Sequence, residues 1–226
     1  MTDFFLLSEI FLFLLSALWF NFSMRARFIK ALEKHQNAFD LRLGDEQIRR
    51  LADYFELVAA HNDLLHLVAP ATAEEFAVRH ILESLTLLEF LPPSAAFADV
   101  GTGAGLPSMP CLLAREDLRG FLIESKIKKA KFLEEALAKF NLAKRARILN
   151  RQFEEIEKPS AAFVTCRALD KFIQKLPKIL KWSKGSALLL FGGNSLRDEL
   201  TKRDVEFREK LMPMSEQRFL FYTDKI

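Results

Sequence analysis

An apolar strand that carries an acid and runs straight into three alternating glycines constrains this chain more than any other stretch: Phe97-Ala98-Asp99-Val100-Gly101-Thr102-Gly103-Ala104-Gly105-Leu106-Pro107. Glycine tolerates positive φ and carries no Cβ, so such a loop lets backbone N–H groups and the following helix come close to a ligand. The pattern therefore predicts a strand-to-helix turn that cradles a nucleotide-type cofactor. It departs from the dinucleotide fingerprint G-x-G-x-x-G, because Leu106 stands where the last glycine of that fingerprint would be.

The spacing Asp-x-Gly-x-Gly-x-Gly is instead that of the loop in S-adenosylmethionine-dependent methyltransferases. Glu124 closes the next apolar run, Phe121-Leu122-Ile123. A carboxylate there offers paired acceptors to the two hydroxyls of an adenosine ribose. Asp99 is expected either to organise the loop or to face the cofactor's amino group. Gly103 and Gly105 belong to the same cofactor-binding set.

From Ala95 onward short apolar runs alternate with amphipathic segments, the pattern of a parallel sheet with crossover helices. Strands are expected at Ala96–Val100, Gly120–Glu124, Ala146–Leu149, Ala161–Cys166, Ala187–Phe191 and Phe219–Thr223, with Val205–Leu211 and Arg218–Thr223 forming a closing hairpin around Pro213. Upstream, residues 24 to about 92 read as helical. Ile48, Leu51, Ala52, Phe55, Leu57 and Val58 recur near a 3.6 period, with Asp45 as the expected N-cap. A second helix runs from about Thr72 through Phe76, Ile81, Leu85 and Leu88, until Pro92-Pro93 stops it. The expected division is an apolar extension over 1–23, a helical cap over 24–93 and a methyltransferase domain over 94–226.

The stretch Phe4–Phe22 is almost continuously apolar, interrupted by Glu9. It lacks the basic start and small-residue cleavage site of a signal peptide. As a membrane anchor it would leave Arg25, Arg27 and Lys30 on the cytoplasmic side. The favoured reading is a translation start at Met24, with no membrane contact unless 4–22 is a real anchor. Net charge is +3 over 226 residues, and since residues 1–23 contribute only Asp3 and Glu9, the rest carries +5. That balance is compatible with a nucleic-acid partner without requiring one. Cys111 and Cys166 form no metal-ligand spacing and no disulfide framework, which suits a reducing compartment. A cytoplasmic, metal-free monomer is expected.

After Glu124 come Lys126, Lys128, Lys129 and Lys131, followed by Lys139, Lys144, Arg145, Arg147 and Arg151. Such a run is either a solvated helix face or a surface that holds RNA phosphates. Cys166 raises the prospect of a thiolate nucleophile for a pyrimidine carbon, but Thr165 rather than a proline precedes it, and small buried cysteines are common in cores. An Asn-Pro-Pro-Tyr clamp for exocyclic amines is also missing from the sequence after the fourth strand.

Four motifs occur in order: Val78-Arg79-His80-Ile81-Leu82-Glu83-Ser84-Leu85, the loop Asp99–Pro107, Leu122-Ile123-Glu124-Ser125 with Lys128-Lys129-Ala130-Lys131-Phe132-Leu133, and Cys166-Arg167-Ala168. Together they resemble the small-subunit ribosomal RNA guanine-N7 methyltransferase family of the RsmG or GidB type, from about Leu51 to the end of the chain. The resemblance implies a class I S-adenosylmethionine-dependent methyltransferase fold, α/β and Rossmann-like, with a mostly parallel seven-stranded sheet and an N-terminal helical cap. It implies methyl transfer to N7 of one guanine in 16S ribosomal RNA, with that RNA or the small ribosomal subunit precursor as partner. By matching motif positions, Gly101, Leu106, Phe153, Glu154 and Arg167 would be cofactor-site residues. Arg79 and His80 would be positional or phosphate-contacting.

Guanine N7 carries an in-plane lone pair, so its methylation needs alignment and exclusion of water rather than a general base. This agrees with the lack of an obvious acid–base pair in the sequence. The chain departs from the family at His61-Asn62 and His66-Leu67-Val68, at Ser108, which replaces a glycine, and at Phe191-Gly192. These departures leave two alternatives open: a methyltransferase for another RNA base or a small molecule, and a non-catalytic, cofactor-sensing RNA-binding protein.

Overall fold

A computed structural model describes residues 23–226. The expected extension over 1–23, with its anchor and late-start readings, lies outside the described residues except for Ser23. Helix α1 covers residues 23–35 and passes into a 3-10 turn at Gln36–Phe39. Helix α2 is Asp45–Leu65. Its N-cap is Gly44 rather than the expected Asp45, because the Gln47 side chain folds back and its Oε1 accepts from the Gly44 N–H at 2.8 Å. Asp45 and Glu46 then occupy the first turn, where negative charge complements the helix dipole. Helix α3, residues 73–89, starts as the sequence predicts. The Thr72 Oγ1 accepts from the Glu75 N–H at 3.1 Å, and Glu75 Oε2 accepts in return from the Thr72 N–H at 2.8 Å. Its middle, Phe76–Leu82, is π-helical, which periodicity alone does not reveal.

The sheet is built from β1 Ala96–Val100, β2 Arg119–Ile123, β3 Ala146–Leu149, β4 Phe163–Arg167, β5 Ala187–Gly192, β6 Arg208–Leu211 and β7 Phe219–Lys225. Between them lie α4 Ser108–Ala114, α5 Ile127–Lys139, α6 Phe172–Trp182 and α7 Asn194–Lys202. The order is β3-β2-β1-β4-β5-β7-β6. β1 pairs in parallel with both β2 and β4, and β7 inserts antiparallel between β5 and β6. The closing hairpin is therefore β6–β7, and α7 supplies one more crossover before it. β6 begins at Arg208 rather than Val205.

Side chains on each strand alternate between two cores, as a period of two requires. Phe97 and Leu122 face a core shared with α2, α3, α4 and α5, while Ala98, Val100 and Ile123 face one shared with α6 and α7. The N-terminal helices thus pack directly on one face of the sheet. On it, Phe28 stacks on Phe55 with centroids 4.6 Å apart, and Phe76 lies 5.1 Å from Phe55. Strand order reverses between β1 and β4, and in open α/β sheets the crevice outside the strand ends at that point is where ligands bind.

Candidate active site

The loop after β1 sits at that crevice. It is held from below, since the N–H groups of Gly101 and Thr102 donate to the Ile123 carbonyl at 2.9 and 3.2 Å. All three loop glycines have positive φ, at 70°, 59° and 94° for Gly101, Gly103 and Gly105. Their surroundings differ. A Cβ on Gly101 would lie 2.4 Å from Leu169 Cδ1, and one on Gly105 would lie 2.4 Å from Met109 Cγ. A Cβ on Gly103 would meet only the Gly101 carbonyl oxygen, at 3.9 Å. Gly101 and Gly105 therefore allow neighbouring elements to pack closely, whereas Gly103 leaves open space beside it.

Asp99 lies beneath the loop and is fully buried. Its Oδ2 accepts from Thr102 Oγ1 at 2.6 Å and from Ser108 Oγ at 2.5 Å. Ser108, one of the departures from the family pattern, thus adds a donor to this carboxyl. Burial, with some help from Glu124, raises the Asp99 pKa to about 7 against the pull of those hydroxyls, while its Oδ1 has no partner. From the opposite layer, Tyr54 on α2 donates to the Ala104 carbonyl at 2.7 Å, and burial reinforced by Asp99 pushes the phenol up. The sequence reading missed Tyr54. A tyrosine on the buried stripe of a helix was the available signal, since a buried phenol needs a partner. Tyr54→Phe is expected to cost about 1–2 kcal/mol in a denaturant melt by leaving that carbonyl unpaired; an unchanged midpoint would show that the loop does not depend on this tie.

One cavity of about 430 Å³ gathers Gly101, Gly103, Leu106, Glu124, Lys126, Lys129, Arg167 and His80. An adjoining hollow is lined by Phe153 and Glu154 and shares Gly101, Ser125, Leu169 and Lys175 with it. Asp99 and Gly105 are not in the cavity wall, and Arg79, Lys128 and Lys131 are exposed outside it. Glu124 Oε2 accepts from the Gly103 N–H at 3.0 Å and Oε1 from the Lys126 N–H at 2.8 Å. Each oxygen keeps acceptor capacity for a further donor. The basic run divides. Lys126, Lys128 and Lys131 are exposed, but Lys129 donates to the His66 carbonyl at 3.0 Å, and burial lowers its pKa. Arg145 donates to the carbonyls of Leu112, Arg115 and Leu118, so it ties β3 to the end of α4.

His80 stands edge-on to Phe76 with centroids 5.1 Å apart. Burial, with Arg167, Arg79 and Arg218 nearby, lowers its pKa to about 4, so the imidazole is neutral at pH 7 and offers no charge to a phosphate. Cys166 is fully buried, and burial raises its pKa well above the ordinary value. A thiol so placed is a poor nucleophile. Among the described residues no group of His, Cys, Asp and Glu is arranged to hold a metal ion, and no helix is long and apolar enough to cross a membrane.

A seven-stranded sheet of this order, with a three-glycine turn at its switch point, is the class I methyltransferase fold. Solved structures agree on the fold. An RNA methyltransferase from Salinibacter ruber in complex with S-adenosyl-L-homocysteine aligns with a TM-score of 0.51 at 18% identity, covering 63% of this chain and 90% of that one. A SAM-dependent methyltransferase from Aquifex aeolicus aligns with a TM-score of 0.50 at 16% identity, covering 66% and 91%. Within that class the chain belongs to the GidB family, rRNA small subunit methyltransferase G, whose model matches residues 47–219. Ribosomal RNA small subunit methyltransferase G of Sorangium cellulosum is 34% identical over 173 residues, 73% of this chain and 72% of the relative. The namesake from Pelotomaculum thermopropionicum is 40% identical over a shorter stretch, 44% of this chain and 43% of the relative. The one from Xanthomonas axonopodis pv. citri is 38% identical over 53% of this chain and 56% of its own.

Proposed function

We propose that the protein transfers a methyl group from S-adenosylmethionine to N7 of a guanine in 16S ribosomal RNA, in the free RNA or a small-subunit precursor, and does so in the cytoplasm as a metal-free monomer. The observation that carries this reading is the family match over 47–219 together with the meeting of most of the motif residues around one cavity. The residues suit the cofactor. Gly103 leaves room for a ligand against the loop backbone, and Glu124 has acceptor capacity beside it for a ribose. Gly101, Leu106 and Arg167 would form the walls around the sulfonium end, and Phe153 and Glu154 would border the base of the adenosine. When bound, S-adenosylmethionine supplies an electrophilic methyl group on sulfur.

The chain's own work in this reading is alignment. Guanine N7 needs no proton removed, so the residues bring donor and acceptor into line and exclude water. The buried Cys166 and the neutral His80 agree with direct transfer, since neither a nucleophilic thiolate nor a charged acid is required. Incubating the protein with labelled S-adenosylmethionine and small ribosomal subunits from a deletion strain, followed by mass spectrometry of nucleosides, is expected to yield 7-methylguanosine. Label on a pyrimidine carbon or an exocyclic amine would overturn the reading. Cys166→Ser is expected to retain most activity, and a trapped covalent adduct at Cys166 would contradict direct transfer.

For the RNA surface, the exposed Lys126, Lys128 and Lys131 are the better candidates, because Lys129 is tied to the protein. Lys128→Glu with Lys131→Glu is expected to weaken RNA binding and to flatten its log–log salt dependence by about 1–2 units, because each lost phosphate contact removes about one released counterion. An unchanged slope in the folded double variant would make this a solvated face. The contact surface would then be sought on α3 around Arg79.

A further inference from the structure

Arg167 enters the cavity from the end of β4, and its guanidinium is held almost entirely by α3. Nη2 donates to Glu83 Oε2 at 3.0 Å and to the Arg79 carbonyl, Nη1 donates to Ser84 Oγ at 3.2 Å, and the group lies over the Phe191 ring at 5.2 Å. Glu83 is 1% exposed, and its other oxygen accepts from Arg218 Nε at 2.6 Å. An acid so deeply buried is sustained only by pairing, here with one arginine on each oxygen.

The helix itself is shaped for this contact. In the π-helical stretch the Glu83 N–H reaches the Val78 carbonyl, five residues back. Where such a stretch returns to tighter spacing, a carbonyl is left without an intrahelical donor. The Arg79 carbonyl, next after Val78, is the one that accepts from Arg167. Five N–H groups belong to a guanidinium. Three are used on α3, which leaves the Nε hydrogen and one on Nη1.

We propose that Glu83 is the positioning residue of this site: with the π turn of α3 it locks the Arg167 guanidinium in one orientation, so that the free N–H groups are presented to the cofactor. The inference rests on the reading of the cavity as a S-adenosylmethionine site. Arg218 separates positioning from simple structural support, because it binds the same carboxylate but does not line the cavity.

The test is calorimetric binding of S-adenosylmethionine to the full chain, with thermal melts alongside. Glu83→Gln is expected to weaken binding about tenfold. Arg218→Gln is expected to lower the melting temperature while leaving the dissociation constant within about twofold. Arg167→Met is expected to weaken binding, and adding Glu83→Gln to it should cost nothing more, because the residue that Glu83 orients is already gone. Should Glu83→Gln fail to fold, Glu83→Asp keeps the charge one methylene further back and is expected to show a smaller loss in a folded protein. Wild-type-like binding by these Glu83 variants, losses that add in the double variant, or equal damage from Arg218→Gln would each overturn the positioning role alone. No binding by the wild-type protein would overturn the cofactor reading and this role together.

Discussion

Gly105→Ala is expected to destabilise the protein by about 2–5 kcal/mol, whereas Gly103→Ala, two residues away, should cost about 1–2 kcal/mol and abolish cofactor binding. Both positions have positive φ, which charges any L-residue about 1–2 kcal/mol. The difference lies in what the new methyl meets. At Gly105 it would sit 2.4 Å from Met109 Cγ and 3.0 Å from Leu133 Cδ2, within the packing of α4 and α5 against the loop. Such overpacking typically adds about 1–3 kcal/mol. At Gly103 nothing is nearer than the Gly101 oxygen at 3.9 Å, so the methyl projects into the space proposed for the ligand. Denaturant melts and calorimetry on the two variants check the contrast. Equal stability would mean that Met109 and Leu133 retreat freely, and normal binding by Gly103→Ala would place the ligand elsewhere.

The second large effect is a pair of opposed pH dependences. Asp99 titrates near 4 in an unfolded chain and at about 7 in the fold, chiefly because of burial. Between those values the folded state holds more protons, so the Asp99 contribution makes stability fall as pH rises. His80 does the reverse. Its unfolded pKa of 6.5 drops to about 4, again chiefly through burial, so the unfolded state holds more protons in that interval and stability rises with pH. At 1.36 kcal/mol per unit each contribution is on the order of a few kcal/mol, and over the interval they share the two oppose one another in the wild-type protein. Asp99→Asn is expected to leave the rising slope between pH 4 and 6.5, and His80→Gln the falling slope between pH 4 and 7. The carboxylate of Asp117, held low by Arg115, acts at lower pH and outside this window. Denaturant midpoints across a buffer series decide it: slopes of the same sign in both variants would refute the opposition.

Much of the scaffold was legible in the sequence because the parallel strands are buried apolar runs bounded by charged or glycine-rich turns. Ala96–Val100 and Ala146–Leu149 begin and end where the pattern says, while β2 and β4 shift by one or two residues. Helix starts depended on which side chain turns back. Thr72 and Glu75 announce themselves, whereas Gln47 behind Gly44 does not. Residue identity also locates the glycine loop and Glu124, because their chemistry is local. What stayed hidden depends on pairing across the chain: Glu83 holds an arginine 84 residues away, Tyr54 reaches the loop across 50 residues, and Arg145 spends its charge on carbonyls of another layer. The π turn was invisible for a different reason, since it depends on which carbonyl each N–H reaches, a choice that residue types do not announce.

The two cysteines acquire a use that has nothing to do with catalysis. Both thiols are fully buried, Cys111 on α4 behind the glycine turn and Cys166 on β4 just before Arg167. A soluble thiol reagent therefore labels the native protein only when the layer beneath the cavity opens, so the labelling rate is a clock for that opening. A ligand that closes the cavity would slow the clock at Cys166, and the protein carries this reporter without any engineered label.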